Sequence, residues 1–159
     1  QVHFPPAHRV VEDPVRARGQ AVPAEPPRQG RREPGALCPD HVVLIDDNTD
    51  VATSLSRLLE TFCERVDVGH YGSDALELAV EVSPDVMLVD IGLPDMDGYE
   101  VARRLRDRPG GDAIYLVALT GYGRQKDVDN ALEAGFDRHL VKPADLSELL
   151  EVMRTAASR

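Results

Sequence analysis

From His41 onward the chain alternates between two hydrophobic rhythms. Short, almost unbroken apolar runs occur in "HVVLID" (41–46), "RVDVG" (65–69), "DVMLVD" (85–90), "AIYLVALT" (113–120) and "RHLVK" (138–142). Each is followed by a longer stretch in which apolar residues recur every third or fourth position: 50–63, 73–82, 98–107, 125–135 and 146–157. The first of these sets Val51, Leu55, Leu58, Leu59 and Phe62 on one stripe, the signature of an amphipathic helix. Ser73 or Asp74 is expected at the N-cap of the second helix, and Gly135 is expected to stop the fourth. Strands that are apolar along their whole length are buried on both faces, as in a parallel sheet covered by helices on both sides. Five strand–helix units at this length predict an α/β fold with an open, doubly wound parallel sheet, too small for a closed barrel.

Residues 1–40 follow neither rhythm. They hold eight of the 12 prolines, and "VPAEPPRQGRREPG" builds no periodic apolar face, so a flexible linker or tail is expected there. The expected boundary is His41, which makes 41–159 the folded domain.

Composition narrows the function. Tryptophan is absent and aromatics make up 4%, so Val, Leu, Ile and Ala must form the core. The net charge is −10, and residues 41–159 carry 12 basic against 23 acidic residues, which argues against a nucleic-acid-binding surface. Cys38 and Cys63 are too few and too far apart for a disulfide framework or a zinc site; a linker thiol and a buried helix thiol are expected. No apolar stretch approaches the roughly 18 residues of a membrane span, and no basic-then-apolar signal peptide opens the chain. The expected location is therefore cytoplasmic, without membrane contact by this domain, and the lack of a starting Met leads us to expect a piece of something longer.

The chemistry is expected where ligands gather in such sheets, beyond the carboxyl ends of the strands. There the sequence places Asp46 and Asp47, Asp90, Thr120 with Gly121, and Lys142 with Pro143. Asp90 closes an apolar strand with no basic residue beside it, and a buried charge needs a partner. Three converging carboxylates call for a cation; hard oxygen ligands suit Mg²⁺, and Lys142 adds a compact positive charge. A carboxylate beside Mg²⁺ is a candidate nucleophile for an aspartyl-phosphate, with Lys142 and Thr120 contacting the phosphoryl oxygens. Capping of the first helix by Asp46, Asp47 or Asn48 is the alternative reading of that acidic stretch.

These residues, in this order and at these strand ends, resemble a response regulator receiver domain of two-component systems over about 41–157. The resemblance implies a flavodoxin-like (CheY-like) fold with strand order 2-1-3-4-5; the apolar pattern above does not derive that order. It implies Asp90 as phosphoacceptor, Asp46 and Asp47 as the acidic metal pair, and the Gly92 carbonyl as a further Mg²⁺ ligand. It implies Thr120 and Lys142 as phosphoryl contacts, with a cis bond before Pro143. The phosphoryl donor would be a histidine kinase or a histidine phosphotransfer domain, in a phosphorelay that switches a protein-interaction surface, with self-catalysed transfer and autodephosphorylation. Thr120 and the residue at 139 would form the switch. The family commonly has Tyr or Phe there, and this chain has His139, which resembles receivers that end a hybrid histidine kinase. "QVHFPP" resembles the last strand of a kinase ATP-binding domain, consistent with that context. Two alternatives stay in view. One is a phosphorylation-independent pseudo-receiver that serves as an interaction module. The other is a haloacid-dehalogenase-like phosphatase, whose Asp-x-Asp at the first strand is broken here by Asp46-Asp47-Asn48.

Overall fold

The computed structural model describes residues 8–10, 39–121 and 125–158. Most of the expected linker, including Cys38 and "QVHFPP", lies outside the described residues. The elements are β1 (His8–Val10), β2 (His41–Ile45), α1 (Thr49–Glu60), β3 (Arg65–Gly69), α2 (Gly72–Val82), β4 (Val86–Asp90), α3 (Gly98–Arg106), β5 (Tyr115–Thr120), α4 (Gln125–Ala134), β6 (Arg138–Val141) and α5 (Leu146–Ala157). All strand pairs are parallel, in the order β1-β3-β2-β4-β5-β6. The five expected strands thus stand in the order 2-1-3-4-5 of the flavodoxin-like fold. The sheet has one strand more than expected, because His8–Val10 pairs with the outer edge of β3.

Alternation along the strands splits the core in two. Val42 and Leu44 of β2, Leu88 of β4 and Val117 of β5 pack with Leu55 and Leu59 of α1 and Leu149 and Val152 of α5. Val43, Ile45, Met87, Val89 and Leu116 face the other way, onto Leu78 of α2, Val101 and Leu105 of α3, and Ala131 of α4. Aliphatic side chains fill both layers, as the aromatic-poor composition requires, and Cys63 is a buried free thiol. No helix among the described residues is long and apolar enough to cross a membrane.

Boundaries shift where local hydrogen bonds compete with the regular ladders. Gly111–Ala113 forms a 3₁₀ turn, so β5 starts at Tyr115 and not at Ala113. Tyr115 is the first residue whose N–H joins the sheet side of the molecule, donating to the Asp85 carbonyl (2.9 Å). The N-cap of α2 is Tyr71, and Ser73 and Asp74 stand inside the first turn. Asp74 still serves that end, accepting from the His70 and Tyr71 N–H groups at 3.0 and 3.1 Å. Gly135 stops α4 as expected, at φ 115°, a conformation that favours glycine.

Arg106, at the end of α3, ties the edge of the sheet remote from the strand carboxyl ends. Its guanidinium donates to the carbonyls of Gly135 (2.9 Å), Gly111 (2.7 Å) and Ile114 (2.9 Å), and to Asp137 Oδ2 (2.8 Å). Asp137 Oδ2 also accepts the Leu116 N–H (2.9 Å), so one cation organises the entry to β5 and the exit from α4. Arg106→Met keeps the stem's packing and abandons these acceptors; it should cost about 2–3 kcal/mol, read as a lower midpoint in urea unfolding. An unchanged midpoint would remove Arg106 from the stabilising contacts.

Candidate functional site

Strands β2, β4, β5 and β6 each deliver a group to the carboxyl edge of the sheet. Asp46 follows the last apolar residue of β2 and is fully buried, held by its N–H to the Gly69 carbonyl (3.1 Å). Asp90 ends β4 and is 6% exposed. Asp47 is exposed beside them. Carboxylate oxygens of Asp46, Asp47 and Asp90 all lie within 4.8 Å of one another. Capping of α1 falls to Asn48, whose Oδ1 accepts the Asp50 and Val51 N–H groups at 3.0 and 3.1 Å. Neither aspartate is consumed by the helix; Asp46 Oδ1 instead accepts the Asn48 N–H (2.9 Å).

Lys142 crosses from the end of β6 to meet two of these acids. Its Nζ lies 3.1 Å from Asp46 Oδ2 and 3.2 Å from Asp90 Oδ1. The Lys142–Pro143 bond is cis, and the Lys142 N–H still reaches the Thr120 carbonyl (2.7 Å), which fixes the lysine at the end of the β5–β6 ladder. Burial disfavours the charged amine, yet the fields of Asp46 and Asp90 and its hydrogen bonds to them outweigh that and raise the Lys142 pKa. Burial also raises the Asp46 pKa; the Asn48 N–H and Lys142 oppose this and the Asp90 charge adds to it. Three carboxylates facing one ammonium leave the cluster short of positive charge. Its oxygen-only donors and spacing fit a divalent cation with a preference for hard ligands, such as Mg²⁺.

The remaining expected residues surround this cluster at different distances. The Gly92 N–H donates to Asp90 Oδ1 at 3.2 Å, which folds the chain after β4 back over the acid. Thr120 ends β5 and is 5% exposed. Position 121 is open, since a side-chain carbon there would meet nothing within 4 Å. His139 pairs across the sheet with Ala118, two residues before Thr120, and by strand alternation shares its face. The His139 Nε2 is enclosed with no hydrogen-bond partner among the described residues.

Sequence reading missed three contributors. The turn after β3 sends the His70 Nδ1 to the Asp46 carbonyl (2.9 Å). Asp95 spans from the β4–α3 loop to the start of α2, accepting the Gly72 N–H (2.7 Å) and Ser73 N–H (3.0 Å). Gly72 is there because a side-chain carbon would meet Met96 Cγ at 2.4 Å. Only the glycine, three residues after the end of β3, was visible as a signal, and it does not name its partner.

The electrostatics of the acidic cluster have a measurable consequence. A carboxyl whose pKa is raised by folding opposes the folded state once ionised: the penalty is absent below the ordinary value of 3.8 and is complete above the raised folded value. Asp46→Asn should therefore raise the Tm of the metal-free protein at neutral pH by a few degrees, and the gain should vanish as the pH falls below about 4. Added Mg²⁺ should reverse the order, stabilising the wild type and not the variant. Thermal unfolding from pH 3 to 8 reads all three; a loss of Tm at neutral pH without metal would contradict the assignment of the strain to Asp46.

The response regulator receiver domain family model matches residues 42–154. The response regulator MprA of Mycobacterium ulcerans is 36% identical over 118 residues, a match covering 74% of this chain and 50% of that protein, so the chain spans about half of MprA. A putative response regulator from Chloroflexus aurantiacus superposes with a TM-score of 0.72 at 28% identity, covering 76% of this chain and 99% of that one. The receiver domain of the sensor histidine kinase PA1611 from Pseudomonas aeruginosa, solved with a magnesium ion in its active-site cleft, gives 0.70 at 29% identity over 76% and 99% of the two chains. With the parallel sheet in its expected order and the acids and lysine gathered at its carboxyl edge, the chain belongs to the response regulator receiver domain family.

Proposed function

We propose that residues 41–159 accept a phosphoryl group from a phosphohistidine onto Asp90 in a Mg²⁺-dependent reaction. The observation that carries this reading is the cluster of Asp46, Asp47 and Asp90 with Lys142 shared between two of them. Asp46, Asp47, Asp90 and the Gly92 carbonyl would hold the Mg²⁺, as the relative from Pseudomonas aeruginosa holds one in its cleft. Bound there, the ion supplies positive charge to the oxygens of the incoming phosphoryl group.

The chain's own groups do the rest. Both described hydrogen bonds to the Asp90 carboxylate fall on Oδ1, from Lys142 Nζ and the Gly92 N–H, which leaves Oδ2 to attack phosphorus. The O–P bond forms as the P–N bond to the donor imidazole breaks, and the donor, already protonated on its other ring nitrogen, departs as neutral imidazole. Lys142 stays cationic throughout, because its raised pKa keeps it charged up to and beyond the ordinary 10.5, and it moves from pairing two aspartates to pairing a phosphoryl oxygen. Thr120, at the neighbouring strand end, is the second phosphoryl contact. Its engagement is the local event that would shift the surface around His139, which sits on the same face two register steps away. A histidine kinase or a histidine phosphotransfer domain is the donor in this reading, and the site lies in the cytoplasm.

The pseudo-receiver reading has one supporting feature, the imidazole at 139 in place of an aromatic ring. Against it, Asp46, Asp47, Asp90, Thr120 and Lys142 are all present.

Intact-mass spectrometry after incubation with acetyl phosphate and Mg²⁺ tests the proposal. Wild type should gain one phosphoryl group; Asp90→Asn and wild type without Mg²⁺ should gain none, and Lys142→Met should lose most of the rate, about 100-fold. If neither acetyl phosphate nor beryllofluoride with Mg²⁺ changes the mass or the NMR signals of Thr120 and Lys142, phosphoacceptance is abandoned for the binding-module reading.

A further inference from the structure

The acidic site is built from two pieces of chain that meet nowhere in sequence: Asp46-Asp47 after β2, and the loop 91–97 after β4 that carries Gly92. Their spacing decides whether the carboxylates can share one ion. Pairing of β2 with β4 up to Ile45 and Val89 places Asp46 beside Asp90, and Lys142 joins those two acids, but neither contact holds loop 91–97 beyond Asp90.

The start of α2 touches both pieces. On one side, the Asp46 N–H bonds to the Gly69 carbonyl (3.1 Å) and the His70 Nδ1 bonds to the Asp46 carbonyl (2.9 Å). On the other, the Asp95 carboxylate takes the Gly72 N–H on Oδ1 (2.7 Å) and the Ser73 N–H on Oδ2 (3.0 Å). Between these two contacts the turn is held rigid by Asp74, which accepts the His70 and Tyr71 N–H groups. Gly72 permits the close approach, with Met96 of the same loop lying where a side chain would be.

The loop that Asp95 holds has few other freedoms. Its base is closed by the Gly98 N–H on the Ile91 carbonyl (2.9 Å), and Asp97 caps α3 through the Glu100 N–H (2.9 Å). Leu93 is buried in the core. Gly92 stands between these anchors, its N–H on Asp90 Oδ1. Asp95 therefore completes a closed path: Asp90, loop 91–97, α2 start, His70, Asp46.

We propose that Asp95 is a positioning residue for the metal and phosphoryl site: by bridging its loop to the first turn of α2, it sets where loop 91–97, with Gly92, stands relative to Asp46 and Asp47. It touches neither ion nor substrate. The role rests on the Mg²⁺ and phosphoacceptor reading of Asp90. Burial would raise the Asp95 carboxyl, but the N–H groups of Gly72 and Ser73, with those of Asp95 itself and Met96, hold it below its ordinary value, as expected for a carboxylate that works ionised. Groups that orient metal ligands from behind commonly change metal affinity by about 10–100-fold when removed.

The test is a Mg²⁺ titration followed by NMR on wild type, Asp95→Ala and Asp95→Asn, with thermal unfolding of each. Asparagine loses the charge but keeps an acceptor for an α2 N–H; alanine loses both. The Kd for Mg²⁺ should rise about tenfold in Asp95→Ala and no more than about threefold in Asp95→Asn, while both stay folded at the titration temperature. Should alanine prevent folding, Asp95→Ser, too short to bridge both amides, takes its place with the same expected loss. A Kd for Asp95→Ala within twofold of wild type overturns the proposal. Equal weakening in the alanine and asparagine variants also overturns it, because the effect would then be loss of charge and not of position. Failure of wild type itself to bind Mg²⁺ is a separate result, and sinks the phosphoacceptor reading on which the role depends.

Discussion

Like charge gathered at the carboxyl edge of the sheet is the constraint on which the rest of the molecule turns. Asp46 is fully buried and Asp90 nearly so, and both oppose Asp47 across less than 4.8 Å with a single lysine between them. Isolated carboxylates in such a place would neutralise or draw in water. The fold tolerates them because parallel strands bring their carboxyl ends to one edge, where Lys142 reaches two acids and backbone N–H groups from Asn48 and Gly92 reach one oxygen of each. The result is a site whose charge is incompletely balanced, ready to gain from a divalent cation.

That readiness has a structural counterpart in the two opposite ends of the sheet. At the far end, Arg106 satisfies three carbonyls and Asp137, so the strand entries are closed by internal pairing. At the carboxyl end the acids are left under-compensated. Stability is concentrated in one place and reactivity in another, a common division for α/β sheets whose function lies in strand-end loops. The β6 side adds a further asymmetry: the His139 Nε2 is enclosed with no partner among the described residues, which places an unsatisfied polar group two register steps from Thr120.

The scaffold around the acids is as specific as the acids. Asp74 serves the turn after β3, Asp95 bridges to it from the next loop, and His70 returns the connection to Asp46. The His70 and Asp95 contacts join segments separated by more than twenty residues, through backbone N–H and carbonyl groups. Side chains at 70, 74 and 95 matter because of what stands opposite them.

The division between what the sequence determined and what the tertiary structure decided follows from range. Periodicity is local, so the five strand–helix units, the Gly135 stop and the gathering of Asp46, Asp90, Thr120 and Lys142 at strand ends could be read from "HVVLID", "DVMLVD", "AIYLVALT" and "RHLVK". Strand order could not, since apolar strands are interchangeable in pattern; it came only with the resemblance. Element edges moved where a nearby donor won, as at Gly111–Ala113 and at Tyr71. The choice of Asn48 over its aspartate neighbours as cap, the extra strand His8–Val10 and the Asp95 bridge needed three dimensions. Each depends on which backbone group a folded chain presents to a side chain or an edge, and hydrophobic patterning carries no record of that.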